Sequence, residues 1–488
     1  MRFKRLTGTA LWLCKYLAAA FAGCFLAALI ALVYALDSRP DLSVWHLADL
    51  DEEFNTRSGV IDFAQYLALE ERLFLQLDEL VYDQVPVGPE NATNRYSRGS
   101  LADPERWPVN WNRSFQLQQD EPRAGILLLH GLSDSPYSMR ELGNTLHQQG
   151  ATVLGLRIPG HGTAPSGLVE TRWQDMAAAV KLAARHVREE VGDKPLFLVG
   201  YSNGGALAME YALSSLDDGT LPQIAGIVLL SPEIGISPVA ALAVWQGRLG
   251  HLLGMEKLAW NGLLPEYDPY KYGSFAVNAG DLAYRITQRI QRQINELQGT
   301  EKLQALPPIL AFQSGVDATV TATALVANLF DRLPEGGHEL VLFDINRRAE
   351  IGTLLKEDPK TVFEPLLNNT ERDYDLTVVS NENAESNRVL ARTVLDGEVS
   401  ASATSYLGKW PRGVYSLSHV ALPFSPFDPL YGGPQAGDSP GIALGDLAPR
   451  GERGVLRIPG NDILRLRWNP FFDYVLSRTK RFMALGDN

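Results

Sequence analysis

Five residues constrain this chain more than any others: Gly200-Tyr201-Ser202-Asn203-Gly204. The apolar block Pro195-Leu196-Phe197-Leu198-Val199 ahead of them reads as a buried strand. The stretch from Gly205 to Leu213 has helix formers, with apolar residues at helical spacing. A serine is therefore expected on a sharp strand-to-helix turn. Such a turn strains the serine backbone, and glycines at 200 and 204 keep the strand and helix from clashing. The strain aims the hydroxyl into open space above the sheet, with the Asn203 N–H where an oxyanion would form. The five-residue pattern recurs by chance in many chains; the strand before it and the helix after it give it meaning.

The rest of the chain has ample material for a core. Of 488 residues, 45% are hydrophobic and 21% charged, an ordinary globular balance. The net charge of -13 argues against a nucleic-acid partner. Cys14 and Cys24 are the two cysteines, both near the N-terminus, so the body of the chain has neither a disulfide framework nor a cysteine metal site.

The run 16–36 carries no charge and matches the roughly 20 residues that cross a bilayer as a helix. Arg2, Lys4, Arg5 and Lys15 precede it; Asp37, Arg39 and Asp41 follow. The positive flank predicts a cytoplasmic segment 1–15, a transmembrane helix 16–36 and a body outside the cytoplasm, periplasmic in a Gram-negative cell. A cleaved signal peptide is the competing reading, disfavoured by the poor cleavage site Val33-Tyr34-Ala35 and the length of the run. Residues 37–111 form a polar extension. Within it, Phe63 to Val85 has the apolar spacing of an amphipathic helix that ends before Pro86, expected to pack on the catalytic domain.

From Asn112 onward strands and helices alternate. Ile126-Leu127-Leu128-Leu129 reads as a central parallel strand and ends in His130-Gly131-Leu132. The Leu132 N–H can point towards Ser202 as a second oxyanion donor. A helix from Met139 to Gln149, a strand from Thr152 to Ile158 and a long helix from Trp173 to Val191 follow. The alternation predicts an α/β fold: a mostly parallel sheet with helices on both faces.

His130-Gly131, Pro159-Gly160-His161-Gly162 and Gly200-Tyr201-Ser202-Asn203-Gly204 together resemble the α/β-hydrolase superfamily. Ser135-Pro136 and Met139 are similar to the monoacylglycerol-lipase and bacterial carboxylesterase branch. The resemblance covers roughly 112–344 and returns around His419 and the C-terminal helix. It implies serine hydrolysis of carboxylic esters with no metal and no organic cofactor. It also implies a cap at 232–306, where Val239 to Met255 reads as apolar and helical, and Trp260, Tyr267, Tyr270, Tyr272 and Phe275 bring aromatics suited to an acyl chain.

The acid is expected just beyond the strand that starts at Ile309, in Gly315-Val316-Asp317. Asp317 there shares a sheet rim with Ser202 and can orient a histidine; an N-cap for the next helix is its other reading. His338 and His419 are the histidines downstream. His338 precedes the strand Leu340 to Phe343, the wrong end for a base, so His419 is the candidate in the order Ser, Asp, His. The segment 346–412 lies between, with a strand expected at Leu376 to Val379 and a helix near Glu385 to Leu395; it is an insertion or a rebuilt sheet edge. His130 and His161 read as structural turn residues.

The expectation is a membrane-anchored serine hydrolase of small ester or lipid-like substrates, with Ser202, Asp317 and His419 catalytic and Leu132 and Asn203 as the oxyanion hole. An amidase, peptidase or thioesterase with the same triad, or a non-catalytic binding protein on this scaffold, are the alternatives. The sequence does not set the oligomeric state.

Overall fold

The computed structural model describes residues 2–235, 256–349, 358–445 and 465–486. The expected cap helix Val239 to Met255 lies outside the described residues.

Ten strands form one sheet: β1 (Phe115–Leu117), β2 (Ala124–Leu129), β3 (Ala151–Leu156), β4 (Leu196–Tyr201), β5 (Gly226–Leu230), β8 (Ile309–Ser314), β9 (His338–Phe343), β10 (Tyr374–Asn381), β11 (Arg388–Val394) and β12 (Ala403–Lys409). Two further short strands, β6 (Trp260–Gly262) and β7 (Phe275–Ala276), pair apart from it. The sheet order is β1-β3-β2-β4-β5-β8-β9-β10-β11-β12. From β3 to β10 neighbours run parallel, and β1, β11 and β12 add antiparallel edges. Every residue of β2, β3, β4, β5, β8 and β9 is buried, which is why β2, β4 and β5 read as apolar runs and the polar residues of β8 and β9 stand at their ends. Helices Trp173–Val191, Asn203–Ser215 and Val277–Leu297 contribute to the core on one face, and Arg140–Gln148 and Phe472–Phe482 to that on the other. The mostly parallel central sheet with helices on both faces fits the α/β fold expected from the sequence.

The segment 346–412 rebuilds the sheet edge. β10 extends the parallel register of β9, and β11 and β12 fold back antiparallel. The helix expected near Glu385 to Leu395 is instead β11. Its burial alternates from Arg388 to Arg392, with Val389 and Ala391 buried, and pairing with β10 overrides the helix-forming Leu and Ala of the stretch.

The extension 37–111 is not a separate layer. Helix Phe63–Leu80 buries Phe63, Tyr66 and Leu69 in the same core as β2 and β3. Beneath it, the buried Arg157 guanidinium makes two bonds to Glu53, both 2.9 Å, and one to Glu70 at 3.1 Å. Burial opposes that charge, and Glu53 and Glu70 more than offset it, raising the guanidinium pKa.

At the N-terminus, Arg2–Asp37 is one helix of 36 residues. Its Trp12, Tyr16, Phe21, Phe25, Ile30 and Tyr34 side chains are exposed. Among the described residues no helix is long and apolar enough to cross a membrane, so the transmembrane helix expected at 16–36 is not found there.

Candidate active site

Ser202 stands between the end of β4 and the start of helix Asn203–Ser215, with φ 52 and ψ -117. That left-handed φ is costly for a serine, and the packing around it holds it there. A Cβ at Gly204 would run into the Leu129 carbonyl, and one at Gly200 into the Gly204 backbone. Glycine is therefore required on both sides of the turn. Leu230 O accepts a bond from Ser202 N at 2.9 Å, and Ser202 O accepts one from Glu233 N at 2.9 Å, fixing the turn against the end of β5.

Three distant side chains converge above this rim. His419 Nε2 lies 3.0 Å from Ser202 Oγ. His419 Nδ1 lies 2.7 Å from Asp317 Oδ2. Asp317 Oδ1 accepts bonds from the Thr319 and Val320 amides at 2.8 and 3.0 Å. Burial would raise the Asp317 carboxyl; His419 and these amides outweigh it and hold it below its ordinary value. Asp317 does not cap a helix, since Thr321 caps the next one, Ala322–Asn328. All three groups are buried.

Nothing in the sequence singled out Gln313, in β8. Its Nε2 donates to Asp317 Oδ2 at 3.0 Å and to Val320 O at 2.8 Å. Its place near the end of β8, four residues before Asp317, was the available signal. Glu233 was likewise missed. It is buried beside the turn, and burial pushes its carboxyl up to about 7.

Leu132 follows Gly131, where a Cβ would sit 3.3 Å from Ser202 Cβ, so the loop after β2 lies directly over the serine. Asn203 opens the helix beyond the turn. The remaining histidines stand elsewhere. His338 begins β9, and its Nδ1 accepts a bond from Ile309 N at 3.2 Å. His130 Nε2 accepts from Ile158 N at 3.1 Å, and His161 Nδ1 meets Pro159 O at 3.0 Å; both brace turns.

The expected cap aromatics divide. Tyr270 stacks on Tyr137 with centroids 4.2 Å apart, and Trp260 is buried against His46. Tyr267, Tyr272 and Phe275 line a cavity of about 290 Å³ whose wall includes Ser133 and Val420, the residues after Leu132 and His419.

Such an arrangement can deliver a hydroxyl nucleophile, a base to take its proton and a carboxylate to hold the base. Residues 120–345 match the family Hydrolase_4, described as serine aminopeptidase, S33. The chain is 31% identical over 149 residues to a thermostable monoacylglycerol lipase of Bacillus sp. (strain H-257), covering 30% of this chain and 56% of that protein. It is 28% identical over 141 residues to a carboxylesterase of Bacillus subtilis (strain 168), covering 29% and 52%. The chain thus spans about half the length of these curated relatives. The crystal structure of the Paleococcus ferrophilus monoacylglycerol lipase superposes with a TM-score of 0.36 at 22% identity, covering 47% of this chain and 87% of that one. Over residues 120–345 this chain matches a hydrolase family model, and it is similar in sequence to a bacterial monoacylglycerol lipase and a bacterial carboxylesterase.

Proposed function

We propose that this protein is a serine hydrolase that cleaves carboxylic esters through Ser202, His419 and Asp317. The observation that carries this reading is the relay itself: Oγ to Nε2 at 3.0 Å, with Nδ1 to the carboxylate at 2.7 Å behind it. His419 takes the Ser202 proton as Oγ attacks the acyl carbonyl. Asp317 holds the ring and stabilises its charged form. The amides of Leu132 and Asn203 receive the oxyanion. His419 then protonates the departing alcohol, and water releases the acid from the acyl-enzyme by the same route.

Amide or peptide hydrolysis is the second reading, favoured by the description of the matching family. The purified chain offered matched p-nitrophenyl esters and p-nitroanilides of one acyl group distinguishes the two. Faster ester turnover supports the esterase reading; faster anilide turnover replaces it with the amidase. Turnover of neither supports a binding protein on this scaffold.

The helix Arg2–Asp37, with its exposed aromatic and aliphatic side chains, supports attachment to a membrane surface. Membrane lipids or lipid-like esters are then within reach of the site.

A further inference from the structure

We propose that Arg95 is a positioning residue for the oxyanion loop. Lying over the rings of Tyr96 and Tyr272, it fixes the segment whose amide holds Ser133, and so sets the Leu132 N–H over Ser202. This rests on the hydrolase reading above, and it gives the extension 37–111 a part in the chemistry.

The oxyanion loop needs holding. Ser133 has φ 57, the left-handed region that a serine adopts only at a cost. Gly131 approaches the nucleophile so closely that a Cβ there would sit 3.3 Å from Ser202 Cβ. Leu132 stands between these two residues, so a shift of the Ser133 backbone re-aims its amide. The bond that grips Ser133 comes from outside the loop: Tyr272 N donates to Ser133 O at 2.8 Å.

Tyr272 is gripped in turn. Its Oη accepts from Thr163 N at 2.9 Å and donates to Gly160 O at 3.2 Å. Its own loop is closed by Glu266, whose carboxylate accepts from the Gly273 and Ser274 amides at 2.9 and 2.8 Å. Arg95 ties this loop to the extension. Arg95 N donates to Glu266 O at 2.8 Å. Arg95 Nη2 donates to Asn112 Oδ1 at 3.0 Å, and Asn112 Nδ2 donates to Pro269 O at 3.0 Å. The guanidinium carbon lies 5.5 Å from the centroid of the Tyr272 ring and 5.4 Å from that of Tyr96. Tyr96 Oη donates to Thr163 O at 2.9 Å, so both rings are pinned to the same residue.

The residue type fits positioning rather than space-filling. Arg95 is 1% exposed, and its Nε and Nη1 have no hydrogen-bond partner. Burying a guanidinium in that way is costly, and an apolar side chain of similar size would fill the space without the cost. What the guanidinium supplies is a flat cation with a preferred place over aromatic faces and a fixed direction for its N–H towards Asn112. Orientation is what an oxyanion hole requires, because its donors act only when they are aimed before the reaction.

The test uses the full chain as wild type, Arg95→Met and Arg95→Lys, with p-nitrophenyl butyrate as substrate and an alkyl trifluoromethyl ketone as inhibitor. Ser202 Oγ adds to the ketone carbon, His419 takes the serine proton, and the carbonyl oxygen becomes an anion in the oxyanion hole. The inhibition constant therefore reads the aim of the loop without turnover. Arg95→Met should lower kcat by about tenfold or more, leave KM within about twofold, and raise the inhibition constant in step with the fall in kcat/KM. Arg95→Lys keeps the charge and loses the flat face, and should show the same split at smaller size. A purely structural role would lower the urea midpoint and leave these constants unchanged in the folded protein; that result, or a loss confined to KM, overturns the proposal. If Arg95→Met does not fold, Arg95→Lys decides by the same split. Wild type that neither cleaves the ester nor binds the ketone overturns the hydrolase reading, and the positioning role falls with it.

Discussion

Asp317 Oδ2 is shared between two donors: Gln313 Nε2 at 3.0 Å and His419 Nδ1 at 2.7 Å. The Gln313 amide is itself anchored on Val320 O, so it braces the same carboxylate oxygen that meets the histidine. Gln313→Leu should lower kcat by about tenfold or more with little change in KM, because misplacing a catalytic group by a fraction of an ångström is enough. Gln313→Glu should set a second carboxylate against Asp317 and move the acid limb of the pH–rate profile upward. Steady-state kinetics from pH 5 to 9 checks both; unchanged profiles would contradict the bracing role.

The extension should prove inseparable from the hydrolase domain. Arg157→Met leaves the buried Glu70 and the half-buried Glu53 without their cation, and breaking a buried pair costs about 3 to 5 kcal/mol. Urea unfolding should show that loss, and a fragment starting at 112 should fail to fold. A fragment 112–488 as stable as the full chain would show that the extension is merely appended.

Glu233 should make stability fall with rising pH. Its carboxyl, raised by burial from 4.5 to about 7, holds its proton more tightly in the fold than in the unfolded chain. Stability is then greatest below the ordinary value, declines between there and about 7, and is flat above. The full decline is about 3 kcal/mol for this one group. In Glu233→Gln, the difference in unfolding free energy between pH 4.5 and 8 should shrink accordingly; an unaltered difference would place the pH dependence elsewhere.

Removing residues 1–36 should release the protein from membranes while leaving it folded. Arg39 Nη1 donates to Trp260 O at 2.8 Å, so a cut before Asp37 keeps the first tie to the body. Flotation with phospholipid vesicles should carry the full chain and not the truncated one. Flotation of the truncated chain would move the membrane contact to another surface.

The sequence made the centre of this fold legible because its strands are buried on both faces. Ile126 to Leu129 and Leu196 to Val199 are continuous apolar runs that nothing else explains. The serine turn was legible for a related reason, since Gly200 and Gly204 are dictated by backbone contacts next to them in the chain. Strand Arg388–Val394 was read as a helix because its local preference is ambiguous and its pairing with β10 and β12 decides. The helix Phe63–Leu80 packs on the domain as its apolar spacing led one to expect, but the ion pair that fastens the extension was hidden because Arg157 meets Glu53 across a long stretch of chain. Gln313 was hidden likewise, since it belongs to no motif and acquires its place from folding.

The central claim is that His419, with Asp317 behind it, activates Ser202. Its most direct test is labelling by a fluorophosphonate, followed by peptide mapping and by kcat/KM on an ester the wild type cleaves. Wild type should be labelled at Ser202. Ser202→Ala and His419→Ala should each lose on the order of 10⁴ to 10⁶ in turnover, and His338→Ala should stay within about threefold of wild type. Labelling at another serine, or a His419→Ala protein that keeps its activity while His338→Ala loses it, would contradict the account.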